Sequence, residues 1–224
     1  MKENHIFRMA LLGLTTIAMV VTMYLIFIWV PTEYEMGVIQ RIFYLHVPLA
    51  WLAFLAFFLV FIGSVMYLWK RQEKWDVLAH SSAEVGVAFT TLFLITGIIW
   101  AKPVWGVWWT WDARLTAALV LWLMYLAYLI IRPYTADEQR GARFAAIVGI
   151  VGFIDVPIVA LAISLWRTQH PSAVIFEGGL ESSMLATLLV SLVAFTLLYW
   201  LLLTLRIAIR KDEVELKRLK ELRD

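Results

Sequence analysis

Pro48-Leu49-Ala50-Trp51-Leu52-Ala53-Phe54-Leu55-Ala56-Phe57-Phe58-Leu59-Val60-Phe61-Ile62-Gly63-Ser64-Val65-Met66-Tyr67-Leu68-Trp69 runs without a single charge until Lys70 and Arg71 close it. A helix on the surface of a soluble protein carries a polar face, and this one has none. Roughly 20 apolar residues are enough to cross about 30 Å of hydrocarbon, so the stretch predicts a membrane span. Five further runs of the same kind lie outward from it, at 9–30, 83–101, 115–131, 144–164 and 183–205. All should be helical, because an open strand leaves its backbone groups unpaired in lipid. The expected fold is therefore an all-α integral membrane protein, a bundle of six transmembrane helices over residues 1–205, with a charged tail at 206–224.

Composition agrees and narrows the function. The 224 residues are 62% hydrophobic and 16% charged, against about 45–50% apolar and about 25% charged in soluble domains. No sizeable soluble domain fits between the spans. Cysteine is absent, which excludes structural disulfides, thiol chemistry, Cys-ligated metals and covalent haem attachment through this chain's own thiols. Metal ligation would fall to His, carboxylate or Met. A net charge of +2 gives no reason to expect nucleic acid. The first span follows Lys2 and Arg8 as a signal peptide would, but its apolar run is long and Val30-Pro31-Thr32 offers no small-residue cleavage site. It is expected to be a retained anchor.

The positions of the 19 Lys and Arg residues predict orientation through the positive-inside bias. Lys2, Arg8, Lys70, Arg71, Lys74, Arg132, Arg140, Arg143, Arg206, Arg210, Lys211, Lys217, Arg218, Lys220 and Arg223 fall on one side, leaving only Arg41, Lys102, Arg114 and Arg167 on the other. Both termini are thus expected in the cytoplasm, with loops 31–47, 102–114 and 165–182 facing outward. The inner segments 70–76 and 132–143 have the mixed charge of linkers, and Arg132-Pro133 marks a helix end. In the tail, Glu213, Lys217 and Glu221 follow at four-residue spacing, which predicts a solvated helix with ion-pair support.

Of four histidines, His5 and His80 lie at the cytoplasmic side and are expected to be solvated, whereas His46 and His170 lie in the first and third outer loops. If residues 39–46 are helical, Ile39, Ile42, Phe43 and His46 share a face, and Pro48 would break that segment from the second span. For either histidine two readings stand side by side: an interfacial residue bonded to backbone or headgroups, and a metal ligand.

The densest local signal is Trp105-Gly106-Val107-Trp108-Trp109-Thr110-Trp111-Asp112, which holds four of the chain's 12 Trp. An aromatic belt accounts for Trp near headgroups, but it does not require four in one loop beside Asp112 and Arg114. If the run is helical after Pro103, Trp105, Trp108, Trp109 and Asp112 share a face and form an aromatic shelf with a polar rim. Indole surfaces suit a large flat conjugated ligand. Two imidazoles can fill both axial positions of an iron, and Arg41, Arg114 or Arg167 can pair with carboxylates. Haem uses all these groups at once. Asp155, before Pro157, is the ionisable residue placed well within a span, in its outer half. It should pair, face the bundle interior or be protonated.

The run Trp100-Ala101-Lys102-Pro103-Val104-Trp105-Gly106-Val107-Trp108-Trp109-Thr110-Trp111-Asp112-Ala113-Arg114-Leu115-Thr116 closely resembles the tryptophan-rich signature of the WWD haem-handling proteins. With six spans, cytoplasmic termini and one His in each of the first and third outer loops, the chain looks like the haem-handling protein C of cytochrome c maturation, the CcmC family. Segments 41–48 and 153–171 resemble that family too, so the likeness covers most of the chain. The resemblance implies a protein of the cytoplasmic (inner) membrane that holds haem b at the outer face. The Trp loop, here Trp105, Gly106, Trp108, Trp109 and Trp111, would form the platform, and His46 and His170 would be the axial ligands. Arg41, Asp112 and Arg114 match polar positions implicated in haem or chaperone binding.

The implied partners are a membrane-anchored periplasmic haem chaperone, the ATP-binding and membrane subunits of an ABC transporter, and a small single-span accessory subunit. The family is described both as haem exporter and as haem lyase. No general acid or nucleophile is evident in this sequence, so any lyase activity would act by positioning. Two alternatives belong to other classes: a permease subunit that moves haem across the membrane, and a structural assembly factor that uses the Trp loop as a protein interface.

Overall fold

The computed structural model describes residues 2–132, 134–135, 137–166, 168, 170 and 180–223. Helix α1 (Lys2–Tyr24) continues through a π-helical turn (Leu25–Trp29), and a 3₁₀ segment (Val38–Ile42) leads into α2 (Phe43–Lys70). There follow α3 (Glu73–Trp105), α4 (Ala113–Ile130), α5 (Glu138–Phe153), α6 (Asp155–Leu165) and α7 (Ser182–Glu221). Among the described residues six helical stretches are long and apolar enough to cross a membrane: Ile6–Trp29, Val38–Lys70, Glu73–Trp105, Ala113–Ile130, Glu138–Leu165 and Ser182–Lys220. The chain is a multi-pass membrane protein, and α5 with α6 makes one interrupted span. Both chain ends lie on one side, because the number of spans is even.

Several helices outrun their apolar stretches. Helix α3 begins at Glu73, ten residues before its apolar run: Glu73 and Lys74 are exposed, but the polar residues that follow, His80, Ser81 and Ser82, are buried against other helices rather than solvated. His80 is only 8% exposed, which corrects the expectation that it is solvated. Its Nε2 lies 3.7 Å from Glu84, and its ring lies beside Tyr128. The side chain of His5 lies outside the described residues. At the same end Arg132 grips Asp76 through Nη1 and Nη2, and Arg206 binds Glu84. Glu213 turns back to Arg206 at 2.9 Å and to Arg210 at 3.1 Å, whereas spacing alone had pointed it toward Lys217. The side chains of Lys217 and Glu221 lie outside the described residues.

These ion pairs tie α3 to α4 and α7 where the bundle is richest in cations. Arg132 and Asp76 are 12% and 14% exposed, so removing one partner strands a charge in a poorly hydrated place. Arg132→Ala is expected to destabilise the protein by about 3–5 kcal/mol. Arg132→Lys, which keeps the charge but not the fork, should cost less. Thermal unfolding of the two detergent-purified variants measures both, and equal melting temperatures would contradict the assignment.

Two prolines behave differently. Pro48 does not break the chain, contrary to expectation: α2 runs through it from Phe43. Near a helix start a proline forfeits only one bond, here to the Tyr44 carbonyl, and the 3₁₀ segment already delivers the backbone in line. Pro157 sits where the chain is already helical and cannot bond the Phe153 carbonyl, and the helix resets at Ile154, whose N–H bonds Val151 at 3.1 Å. Asp155, just beyond this reset, is buried with Oδ2 unpartnered among the described residues.

The core is aromatic and tightly stacked. Phe57 of α2 lies 3.6 Å from Tyr125 of α4, centroid to centroid, with planes 7° apart. The Tyr125 hydroxyl donates to the Gly149 carbonyl of α5 at 3.1 Å. By contrast α1 packs mainly along α7 and leaves most of its surface outward. That suits a helix whose remaining neighbours are lipid.

Candidate functional site: an aromatic cavity with two histidines

Four segments meet at the end of the bundle that is poor in Lys and Arg. Helix α2 brings His46 in its first turns, and the last turns of α3 bring Phe93, Gly97, Trp100 and Trp105. The start of α4 brings Arg114 and Leu115, and the segment after α6 brings His170. Together with Trp109 they line a narrow cleft of about 40 Å³. Its walls are largely aromatic and aliphatic, with two imidazoles and one guanidinium as the polar groups.

His46 is set by α3. Its Nδ1 lies 3.0 Å from the Thr96 hydroxyl, and its ring lies 4.7 Å from that of Phe93. The His170 backbone N–H donates to Thr168 Oγ1 at 3.1 Å. Arg114 projects from the first turn of α4, and its Nε and Nη1 are buried without a hydrogen-bond partner among the described residues. The indole N–H of Trp109 is orphaned in the same way. Buried donors of this kind cost free energy unless something accepts from them, so this cavity is suited to a ligand that is flat, mostly apolar and anionic at an edge. The chemistry of this donor set, two imidazoles and a guanidinium, suits the iron and the propionates of a haem.

The tryptophan run does not form the expected helical face. Helix α3 continues through Pro103 and stops at Gly106, whose φ of 77° is a left-handed conformation that glycine adopts without penalty. Lys102 closes the end by donating to the Gly106 carbonyl at 2.8 Å. Beyond it the loop splits the tryptophans into two groups. Trp105 meets Trp100 edge-on at 5.5 Å, and both line the cavity with Trp109. Trp108 and Trp111 are 57% and 76% exposed. Trp108 lies under the Lys102 ammonium at 5.9 Å, and Trp111 meets Trp109 edge-on at 5.8 Å.

Asp112 is a helix cap rather than a polar rim. Its Oδ1 accepts from the N–H groups of Arg114 and Leu115 at 3.0 and 3.1 Å, and its Oδ2 accepts from Thr110. By starting α4 there, Asp112 aims Arg114 at the cavity. Arg41 lies elsewhere: its Nη1 donates to the Phe27 carbonyl at 2.9 Å, tying the 3₁₀ segment to the π-helical turn. Arg167 lies outside the described residues. In loop 31–37, backbone N–H groups of Met36 and Glu35 hold the Glu33 carboxyl below its ordinary range.

Phe93, Thr96, Gly97 and Trp100 were not singled out from sequence. They fall at i, i+3, i+4 and i+7 along α3, a pattern shared with any lipid-facing or core stripe, so only the arrival of His46 distinguishes them.

The fold and cavity define a polytopic helical membrane protein with a two-histidine, tryptophan-walled site at one membrane face. The family model described as Heme exporter protein C, CcmC, matches residues 2–221, and the chain belongs to that family. It is 40% identical over 195 residues to the Heme exporter protein C of Bradyrhizobium diazoefficiens, covering 86% of this chain and 73% of that one. Similar proteins of the same name occur in Haemophilus influenzae, 34% identical over 190 residues with 83% and 77% covered, and in Escherichia coli K12, 31% identical over 186 residues with 81% and 76% covered.

Proposed function

We propose that this protein binds haem b at the outer face of the cytoplasmic membrane and delivers it to a membrane-anchored periplasmic haem chaperone for c-type cytochrome biogenesis. The observation that carries the reading is the convergence of His46 and His170 on one aromatic cavity that also holds Arg114, whose Nε and Nη1 have no partner among the described residues. Membership of the Heme exporter protein C family supports haem as the ligand. It also supports work within an ABC-type export system, in which we place a small single-span subunit as a further partner.

In this role His46 and His170 hold iron through two imidazoles. Trp100, Trp105 and Trp109 exclude water and orient the ring, and Arg114 neutralises a carboxylate. The bound iron supplies Lewis acidity toward those imidazoles. The protein's contribution is positioning of the bound group. The exposed indoles of Trp108 and Trp111 then form the rim a chaperone meets.

The absorption spectrum of the detergent-purified protein tests the reading directly. A Soret band with split, low-spin visible bands is expected, and their absence after expression with ample haem would overturn it. Two substitutions separate platform from rim. Trp109→Ala should lower haem retention about tenfold while chaperone capture persists. Trp108→Ala should leave the spectrum intact and weaken chaperone capture. A permease would instead show ATP-dependent haem flux with its partner subunits that survives loss of the outer histidines.

A further inference from the structure

The surroundings of His46 carry more than its presence in the cavity. Three residues of one α3 face enclose its ring. Phe93 lies against it at 4.7 Å, and the Thr96 hydroxyl oxygen lies 3.0 Å from Nδ1. At Gly97 a Cβ would come within 3.1 Å of the ring's Cε1, so any larger residue there would push the imidazole aside. The ring is thus confined against α3, where it meets the Thr96 hydroxyl and the Phe93 backbone carbonyl.

That hydroxyl has a single proton. Thr96 Oγ1 lies 2.8 Å from the Leu92 carbonyl and 3.0 Å from the Phe93 carbonyl, the usual back-bond of a helical threonine. A proton directed at either carbonyl leaves only lone pairs facing His46. Nδ1 must then bring the hydrogen, and Nε2 is left as the nitrogen with a free electron pair.

We infer that Thr96 is a positioning residue that fixes His46 in the Nδ1–H tautomer and so presents Nε2 as the ligating nitrogen before any ligand arrives. The isolated imidazole prefers the other tautomer only slightly, so one hydrogen bond suffices to reverse it. A donor bond at Nδ1 also raises the basicity of Nε2, as partners of metal-bound histidines generally do. The ligand role of His46 rests on the proposed function, but the tautomer does not.

The decisive measurement is ¹⁵N NMR of the full-length, haem-free protein labelled at histidine, in detergent or nanodiscs at a pH where His46 is neutral. The signals missing from a His46→Gln sample identify His46. The wild-type spectrum should show a protonated Nδ1 and a bare Nε2 for His46. Thr96→Ser should keep that pattern, and Thr96→Val should lose it, with the proton moving to Nε2. A bare Nδ1 in the wild-type protein would overturn the inference even if Thr96→Val failed to fold.

Haem loading adds a second readout. Thr96→Val should retain haem about 10–100-fold less well than wild type, with Thr96→Ser close to wild type. Equal retention in Thr96→Val and wild type would show that the tautomer does not matter to ligation. A wild-type protein that shows the Nδ1–H tautomer but no low-spin haem would leave this inference standing and overturn the haem reading instead.

Discussion

Purified His46→Ala and His170→Ala proteins are expected to lose the six-coordinate, low-spin haem spectrum of the unaltered chain, and the double variant to retain haem about 100-fold less well or worse. Removing an outer-shell partner of a ligand typically costs about 10–100-fold in affinity, and removing both ligands should cost at least the upper end of that range. The two single variants should differ. His46 stands on a helix and is enclosed by Phe93, Thr96 and Gly97, whereas His170 follows the end of α6 on irregular backbone. A pre-positioned ligand contributes more because less freedom is lost on binding. His46→Ala should therefore lose most of its haem, and His170→Ala should keep some in five-coordinate form. Added imidazole should restore the six-coordinate bands of His170→Ala, which separates a vacant ligand position from a misfolded protein. If both single variants kept the wild-type spectrum, axial ligation by this pair would be wrong.

Gly86→Val is expected to destabilise the bundle by about 3 kcal/mol or more, at or above the top of the range usual for overpacking. A Cβ at position 86 would stand 2.8 Å from the Ala56 Cβ and 2.8 Å from the Phe57 ring. The Phe57 ring is stacked on Tyr125 and has nowhere to rotate, and the Ala56 Cβ moves only with α2 itself. Helices α2 and α3 must separate, and they are the pair that holds His46 against Thr96. Loss of the low-spin haem spectrum should accompany the fall in melting temperature, although position 86 lies outside the cavity lining. Gly13→Ala is the control. Nothing lies within 4 Å of its added Cβ, and a helical Gly→Ala change there should be neutral or stabilise by about 0.5–1 kcal/mol. Equal melting temperatures for Gly86→Val and Gly13→Ala would contradict this account of the packing.

Much of the architecture was legible in the chain because lipid imposes a one-dimensional requirement. A residue facing hydrocarbon must be apolar whatever its tertiary neighbours, so uninterrupted runs mark spans without knowledge of packing. The tryptophan cluster was legible for the converse reason, since spanning does not explain it. The errors lie where polar residues are buried by partners far along the chain. His80, Asp76 and Glu84 resemble a loop end locally, yet Arg132 and Arg206 cover them from α4 and α7. Pro48 suggested a break, but it lies in the first turns of α2 behind the 3₁₀ segment, where a proline is tolerated best.

Residue identity alone therefore set the class of protein, the number of crossings and the face on which the tryptophans and two histidines gather. It could not divide the tryptophans. Trp105 and Trp109 turn into the cavity while Trp108 and Trp111 face out, because Gly106 ends α3 in a left-handed turn and Asp112 restarts the chain as α4. Nor could it separate Arg114 from Arg41 as the cation facing the cavity, or bring Thr96 to His46 across 50 residues. Those outcomes depend on where helices cross, and crossing is decided by side-chain volume at contacts such as Gly86 against Ala56, which no periodicity along a single chain encodes.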